Sequence, residues 1–310
     1  MRIIKLNEQS RANILADLLK RDPNNYSAYE GTVQEIVDDV RARGDEALFE
    51  YTKKFDGAEL SADNIRVTQA EIQEALSQVD PGLLAVMKKS MKNIREYHEK
   101  QKQYSWFDSK PNGTILGQKV TALSSVGVYV PGGKAAYPSS VLMNIIPAEV
   151  AGVEKIVMVT PPGKDGKVNP VTLIAAHLAG ATEVYKVGGA QAIASLAFGT
   201  KSIPRVNKIV GPGNIFVALA KKAVYGHVSI DSIAGPSEIL VLADETANPR
   251  YVAADLLSQA EHDELASAIL VTTSMELAEK VSAEADAFVQ NLSRKAILEK
   301  SLENYGYILV

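Results

Sequence analysis

The stretch that decides the fold is residues 155–163, KIVMVTPPG, where a buried-strand pattern is closed by a Pro-Pro-Gly turn. An almost unbroken apolar run of this kind is typical of a strand buried on both faces of a parallel sheet. Outward from it the pattern alternates. Helices are expected over 170–178, 190–197 and 215–224, and strands over 183–187 and 208–210. Strands separated by helices predict a doubly wound parallel sheet, because such crossovers are right-handed.

The same alternation continues on both sides of this region. Upstream, a strand is expected over 126–130 and a helix over 141–153. Downstream, strands are expected over 239–242, 268–271 and 306–310, and helices over 249–262, 275–289 and 297–302. Residues 1–108 are instead charged and helical in pattern, with helices predicted from Thr32 to Arg43, over 45–55 and from Pro81 towards Tyr97. The sequence therefore predicts an α/β protein with two Rossmann-like doubly wound domains and a cleft between them.

Composition excludes several classes of protein. The 310 residues are 46% hydrophobic and 23% charged with a formal net charge of -4, which argues against a general nucleic-acid binder. Cysteine is absent from the sequence, so disulfides, thiolate nucleophiles and cysteine-based metal sites are excluded. The N-terminus lacks the apolar core of a secretory signal, and no apolar run has the length of a membrane span. A cytoplasmic location with no membrane partner is expected.

Three glycine-rich turns follow predicted strands, at 131–133, 188–189 and 211–214. None is a GxGxxG fingerprint, because Tyr129 stands where the second glycine of residues 127–132 would be. A single glycine-rich turn of this kind is most simply an ordinary loop that connects a strand to the following helix. Three in one α/β region, beside Tyr129, Gln191 and Asn214, favour a ligand cleft at the carboxyl ends of the strands.

A second group of polar residues lies further along the chain. Residues 259–262, QAEH, place Gln259 and His262 three positions apart, on one face of the predicted helix. A Gly-Pro turn before it delivers the Ser237 hydroxyl. The amide and the imidazole could hold a metal or a polar substrate, but two ligands are too few for a metal site by themselves.

Five motifs in this order are similar to those of the histidinol dehydrogenase family. They are GVYVPGG at 127–133, VGGAQAIA at 187–194, GPGN at 211–214, AGPSE at 234–238 and DLLSQAEH at 255–262. The resemblance runs from the N-terminal segment to Val310. It implies two successive NAD-dependent oxidations of L-histidinol, through the aldehyde, to L-histidine. It also implies zinc, a homodimer, and two Rossmann-like domains that lack the usual fingerprint.

The resemblance carries over residue by residue. Tyr129, Gln191 and Asn214 match contacts to NAD. Ser237, Gln259 and His262 match contacts to the substrate, and of these Gln259 and His262 also match zinc ligands. It divides the chain into an N-terminal extension of residues 1–22, a first domain of 23–108 with 236–310, and a second, NAD-contacting domain of 109–235.

The family pattern also has members missing from this sequence. The Glu-His base pair and two further zinc ligands, one aspartate and one histidine, belong to a segment that follows position 310 in the family. No catalytic residue is therefore assigned in this chain, and we expect the chain to be C-terminally incomplete and inactive alone. Two alternatives remain open. One is a related zinc- and NAD-dependent dehydrogenase of another polar alcohol, such as a sulfonated diol, and the other is a non-catalytic nucleotide-binding relative.

Overall fold

A computed structural model of the protein describes residues 1–13, 27–132, 136–233 and 238–310. The chain forms two compact units, of which one spans Tyr26–Ile233 and the other joins Met1–Asn25 to Ala234–Val310. The strands are β1 Arg2–Ile4, β2 Trp106–Ser109, β3 Ile115–Gln118, β4 Ser125–Tyr129, β5 Lys155–Thr160, β6 Glu183–Lys186, β7 Lys208–Val210, β8 Ser229–Ile230, β9 Glu238–Ala243, β10 Ser267–Thr272 and β11 Gly306–Leu309. The helices are α1 Ser27–Arg43, α2 Asp45–Asp56, α3 Gln69–Gln78, α4 Pro81–Glu99, α5 Pro138–Val150, α6 Pro170–Ala179, α7 Gly189–Phe198, α8 Ile215–Val224, α9 Pro249–Ala260, α10 Met275–Asn291 and α11 Lys295–Tyr305.

The larger unit is built on a parallel sheet with strand order β6-β5-β4-β7-β8. Successive residues of a strand face opposite sides, so Val157 and Val159 of β5 join one core cluster while Ile156 and Met158 join the other. Helices α1, α7 and α8 contribute to the first cluster, and α4, α5 and α6 to the second. The predicted α/β class is confirmed, and in this unit helices cover both faces of the sheet.

The N-terminal helices belong to this larger unit, which corrects the predicted assignment of residues 23–108. Val33 and Ile36 of α1 are buried in the same cluster as Val157 and Ile193. The segment between α2 and α3 also follows the edge strand β6, since the Val67 N–H donates to the carbonyl of Val184 at 2.9 Å. Helical periodicity indicates an apolar face but does not identify the sheet that covers it, so the sequence left this choice open.

The smaller unit carries a second parallel sheet with strand order β1-β11-β10-β9. Its helices α9, α10 and α11 share one core cluster with Leu270 and Ile308. On the other face, Leu240 and Leu242 of β9 are 63% and 78% exposed. The predicted N-terminal extension of residues 1–22 includes β1, which pairs with β11 and is therefore part of this sheet.

The short strand β8 of the larger unit was not predicted from the sequence, nor were two features with recognisable local signals, a helix and a hairpin. Helix α3 begins with a capping box, in which the Thr68 hydroxyl accepts from the Glu71 N–H and the Glu71 carboxylate accepts from the Thr68 N–H. Strands β2 and β3 form an exposed antiparallel hairpin, whose turn contains Asn112 and Gly113 at φ 85°. Both signals were readable, because a Thr-x-x-Glu box marks a helix start and Asn-Gly marks a hairpin turn.

Candidate functional site

The switch point of the larger sheet lies between β4 and β7. From β4 the chain proceeds to β5 and β6 on one side, then crosses to β7 on the other side of β4. Ligands of open α/β sheets bind beyond the carboxyl ends of the strands at such a point. Gly211, just after β7, has φ 115°, and a Cβ atom there would lie 2.1 Å from the carbonyl oxygen of Tyr129. The turn after β7 therefore requires glycine in order to pass so close to β4.

A cavity of about 880 Å³ opens at this edge and brings together the three residues predicted to contact NAD. Tyr129 comes from the end of β4, Gln191 from the first turn of α7, and Asn214 from the residue before α8. Apolar side chains form much of the remaining wall, including Phe55 and Phe216. The predicted convergence of Tyr129, Gln191 and Asn214 on one cleft is confirmed.

Gln191 has the most informative side chain in the cavity wall. It is 1% exposed, and within the described part of the chain neither its amide oxygen nor its amide nitrogen has a hydrogen-bond partner. An unsatisfied buried amide costs about 1–3 kcal/mol, so a bound group that supplies both a donor and an acceptor would relieve a real penalty. Gly189 beside it has φ 66°, and a Cβ atom there would lie 2.6 Å from the Gln191 Oε1 atom.

Tyr129 is held in place by the same turn. Its hydroxyl accepts a hydrogen bond from the Gly189 N–H at 3.2 Å, which leaves the hydroxyl proton free to be donated. Burial, with a smaller contribution from the nearby Asp56 carboxylate, raises the pKa of Tyr129 to about 12, although the hydrogen bond from the Gly189 N–H opposes the rise. Tyr129 is therefore a hydrogen-bond donor at neutral pH and cannot act as a base there.

Asn214 has a structural role as well as a place in the wall. It is the N-cap of α8, where its Oδ1 atom accepts from the Val217 N–H at 3.2 Å. A capping asparagine uses only its oxygen, so its amide N–H groups are available to a ligand. The position of Asn214 is therefore compatible with a purely structural role as a helix cap and also with an additional role as a ligand contact.

A buried ion pair fixes the turn that carries Asn214. Lys221 of α8 is 4% exposed, forms an ion pair with Asp231, and donates to the Gly211 carbonyl at 3.0 Å. The Asp231 carboxylate accepts from the Gly211 N–H at 2.8 Å. Both polar groups of the Gly211 peptide backbone are thus held by one ion pair. Neither residue could be predicted from the sequence, because only the tertiary fold brings Asp231, which follows β8, next to Lys221 of α8.

Asp56 also lines the cavity and was not predicted. It is the last residue of α2, half-buried, and within the described ranges its Oδ2 atom is buried without a hydrogen-bond partner. Burial raises the pKa of Asp56 to about 6. An aspartate before a helix-ending glycine is an ordinary sequence pattern, so no signal in the sequence distinguished this residue.

The three predicted substrate contacts belong to the smaller unit. Ser237 lies outside the described residues. Gln259 is in the last turn of α9, which ends at Ala260, so His262 follows the helix instead of lying within it. The His262 N–H donates to the Gln259 carbonyl at 3.2 Å, and the His262 side chain is exposed. The prediction that both side chains share one helix face is therefore wrong for His262.

The described residues do not provide a complete metal site. In the ranges the structure describes, no group of three or more histidine, aspartate or glutamate side chains is arranged so that it could hold a metal ion. Gln259 and His262 supply two donor side chains, and even an open catalytic zinc site has about three protein ligands. The residues present therefore do not by themselves fit a zinc ion.

Comparison with known proteins assigns the chain to a family. A sequence model of histidinol dehydrogenase matches residues 19–310. The chain is 57% identical over 293 residues to a histidinol dehydrogenase of Halalkalibacterium halodurans, covering 94% of this chain and 69% of that relative. It is 60% identical over 279 residues to a histidinol dehydrogenase of Bacillus subtilis strain 168, covering 90% of this chain and 65% of that relative.

The chain belongs to the histidinol dehydrogenase family. A crystal structure of histidinol dehydrogenase from Elizabethkingia anophelis matches all of this chain and 71% of that chain, with a TM-score of 0.90 and 37% identity. The resemblance predicted from the five motifs is confirmed. The chain spans about two thirds of the length of the curated relatives to which it is similar. Among its described helices, none has the length and apolar content needed to cross a membrane.

Proposed function

We propose that the cavity at the switch point binds NAD, and that the protein oxidises L-histidinol through the aldehyde to L-histidine. The observation that carries this proposal is the convergence of Tyr129, Gln191 and Asn214, with the Gln191 amide buried and unpaired. When bound there, NAD would supply the hydride acceptor, with one NAD molecule consumed in each of the two oxidations. The alcohol and the hydrated aldehyde each also lose a proton, and one water molecule enters at the aldehyde.

Each wall residue has a role that follows from its chemistry. The Gln191 amide can donate and accept, so it can hold a polar group of the nucleotide deep in the cavity. The Tyr129 hydroxyl and the Asn214 amide supply further donors, and Phe55 and Phe216 exclude water from part of the wall. The cavity lacks a glycine fingerprint for the pyrophosphate, so we expect modest affinity for NAD.

The experiment separates ligand contact from helix capping at Asn214. Asn214→Ser keeps an oxygen that can cap α8 but removes the amide donors, whereas Asn214→Ala removes both. We expect both variants to weaken NAD binding, measured by calorimetry on the 310-residue chain, and only the alanine variant to lose stability, by about 1 kcal/mol. If the serine variant binds NAD as the wild type does, Asn214 is only a cap.

Activity is a separate measurement. Histidinol-dependent NAD reduction should be followed in this chain and in a chain extended by about a hundred residues, the size of a small domain. Activity that is lost together with NAD binding in Gln191→Met supports the proposal, whereas full activity of the 310-residue chain would contradict the expectation that this chain is inactive alone. NAD binding without reduction of NAD by histidinol in both chains would favour a non-catalytic nucleotide-binding relative.

We also propose that the activity requires zinc. This chain would contribute Gln259 and His262 as contacts to both the metal and the substrate, and Ser237 as a contact to the substrate alone. Because two donors make a weak site, we expect the chain alone to bind zinc poorly. Tight stoichiometric zinc in the purified chain, lost in His262→Ala, would contradict this expectation.

A homodimer and a cytoplasmic location are proposed on the same basis of family membership. Sedimentation equilibrium of the chain and of its extended form measures the first. A monomer at micromolar concentration in both forms would contradict it. Fractionation of the source cells measures the second.

A further inference from the structure

Asp56 brings a carboxyl group into the wall of the cavity, which Lys164 also lines. Its buried Oδ2 atom lacks a hydrogen-bond partner, and no ion pair to Asp56 exists in the part of the chain that the structure describes. It is also the last residue of α2, beside the negative end of the helix dipole. Gly57, at φ 71°, ends the helix by donating its N–H to the Lys53 carbonyl, so this N–H is not available to the Asp56 carboxylate.

A buried carboxylate that lacks a partner indicates the chemistry of what should occupy the space before it. An ionised carboxylate only accepts hydrogen bonds, so its partner must be a donor such as a hydroxyl group. A phosphate group, which is itself an acceptor and negatively charged, would be repelled at the same place. The group of the ligand that faces Asp56 is thus a hydrogen-bond donor, such as a hydroxyl, and not a phosphate.

The surrounding wall restricts the occupant further. Asp56 shares the cavity with Tyr129, whose pKa its charge raises, and with Phe55 and Phe216. A sugar bearing neighbouring hydroxyls and joined to a flat ring matches a carboxylate bordered by aromatic walls. Dinucleotide-binding sheets elsewhere use an acidic side chain in this way, on the 2′-hydroxyl of the adenosine ribose.

We propose that Asp56 accepts a hydrogen bond from the adenosine 2′-hydroxyl of NAD and, by its charge, excludes the 2′-phosphate of NADP. This inference rests on the proposed NAD site and assigns to Asp56 the choice between the two nucleotides. The acidic residue comes from the end of a helix that precedes the sheet in sequence, so the usual spacing after a fingerprint could not have located it.

The test compares Asp56→Asn with the wild-type chain for binding of NAD, NADP and NAD that lacks the adenosine 2′-hydroxyl. Asparagine has nearly the same shape as aspartate but no charge. In the wild type we expect NAD to bind at least about tenfold more tightly than either analogue, as for a lost hydrogen bond to a charged group. In Asp56→Asn the three affinities should lie within a few-fold of one another, with NADP gaining most.

Three further variants keep the result interpretable. Asp63→Asn makes the same chemical change at an exposed position outside the cavity and should leave all three affinities unchanged. Asp56→Glu keeps the charge and should continue to reject NADP. Asp56→Ser supplies a second neutral side chain if the asparagine variant does not fold.

The outcomes distinguish this inference from the proposed NAD site. If Asp56→Asn keeps the wild-type ratio of NAD to NADP affinity, or weakens all three ligands equally, the assignment of Asp56 is wrong while the site stands. If the wild-type chain and its extended form bind neither nucleotide, the proposed function itself fails.

Discussion

At the scale of single residues, Gln191 is polar where packing alone would favour an apolar side chain. Its amide is buried and unpaired, so the folded protein is less stable than it would be with an apolar group of the same shape. Residues that lower stability in this way are expected at functional sites. The residue type and its place after a glycine turn were visible in the sequence, but its burial depends on the approach of β4.

We expect Gln191→Met to raise the unfolding free energy by about 1 kcal/mol, because methionine fills a similar volume without unpaired polar atoms. The same change should weaken NAD binding about tenfold or more. Urea denaturation and calorimetry measure the two effects. Gln73→Met, on the exposed side of α3, is the control and should change neither quantity appreciably. A loss of stability in Gln191→Met would show that the amide has a structural partner.

Asp56 leads to a prediction about pH. Its folded-state pKa of about 6 is above the ordinary value of 3.8, so the folded protein holds this proton more tightly than the unfolded chain does. Its contribution to stability is therefore most favourable below pH 3.8, declines as the pH rises towards 6, and is fully lost above 6. The shift corresponds to about 3 kcal/mol, which we reduce to roughly 1–2 kcal/mol because the side chain is only half-buried.

Asp56→Asn should consequently be more stable than the wild type at pH 8 by roughly 1–2 kcal/mol, with a much smaller difference near pH 4. Urea titrations at the two pH values, with Asp63→Asn as the reference, measure this difference. Equal stability of the wild type and Asp56→Asn at pH 8 would indicate that the carboxylate is solvated or paired in solution.

At the scale of elements, the strand-turn-helix units were predictable because apolar runs and glycine turns are local signals. Strands β5 and β7 and helix α8 have the predicted bounds, and several other elements differ by one to three residues. The end of α9 was less predictable. Nothing in residues 259–262 marks Ala260 as the last helical residue, and that difference moves His262 off the helix.

The ion pair between Lys221 and Asp231 holds both polar backbone groups of Gly211 in the turn between β7 and α8, and we call this arrangement the clamp. Its contribution can be tested at Lys221. In Lys221→Met the Gly211 carbonyl loses a buried donor and Asp231 loses its cation. We expect the turn to loosen and the KM for NAD in the active form to rise several-fold, with little change in kcat. Hydrogen exchange at the Gly211 N–H should also become faster.

Lys222→Met is the matched control for that experiment. Lys222 is the next residue of α8, but its ion pair with Glu30 lies at the surface, where such pairs contribute about 0–1 kcal/mol. The control should keep the KM for NAD. An equal rise in both variants would attribute the effect to helix charge instead of to the clamp.

At the scale of the whole molecule, the two parallel sheets were predicted correctly and the division of the chain between them was not. Local patterns describe each helix, but the choice of sheet depends on packing between residues far apart in the sequence, such as Ile36 and Ile193, which share one core cluster. The three proposed NAD contacts, Tyr129, Gln191 and Asn214, could be located from turns and motifs. Asp56, Lys221 and Asp231 could not, because only the tertiary fold brings them to the same edge.

The larger unit has its own core on both faces of its sheet, so we expect residues 27–233 to fold when expressed alone. This fragment should unfold in one cooperative transition, monitored by circular dichroism, and should keep NAD binding within about tenfold of the 310-residue chain. A fragment that remains unfolded would mean that residues 27–108 need the other unit, as the sequence had suggested.

The pairing of β1 with β11 has a consequence for synthesis of the protein. Arg2 lies opposite Tyr307 in the register, so β1 waits for a partner that is translated about 300 residues later. At a synthesis rate of about 5–20 residues per second, that wait is roughly 15–60 s. All of the larger unit leaves the ribosome in the meantime and can complete its core. A ribosome-bound chain stalled near residue 280, which leaves the larger unit outside the exit tunnel, should therefore present a finished cavity at the switch point and a free, three-residue β1.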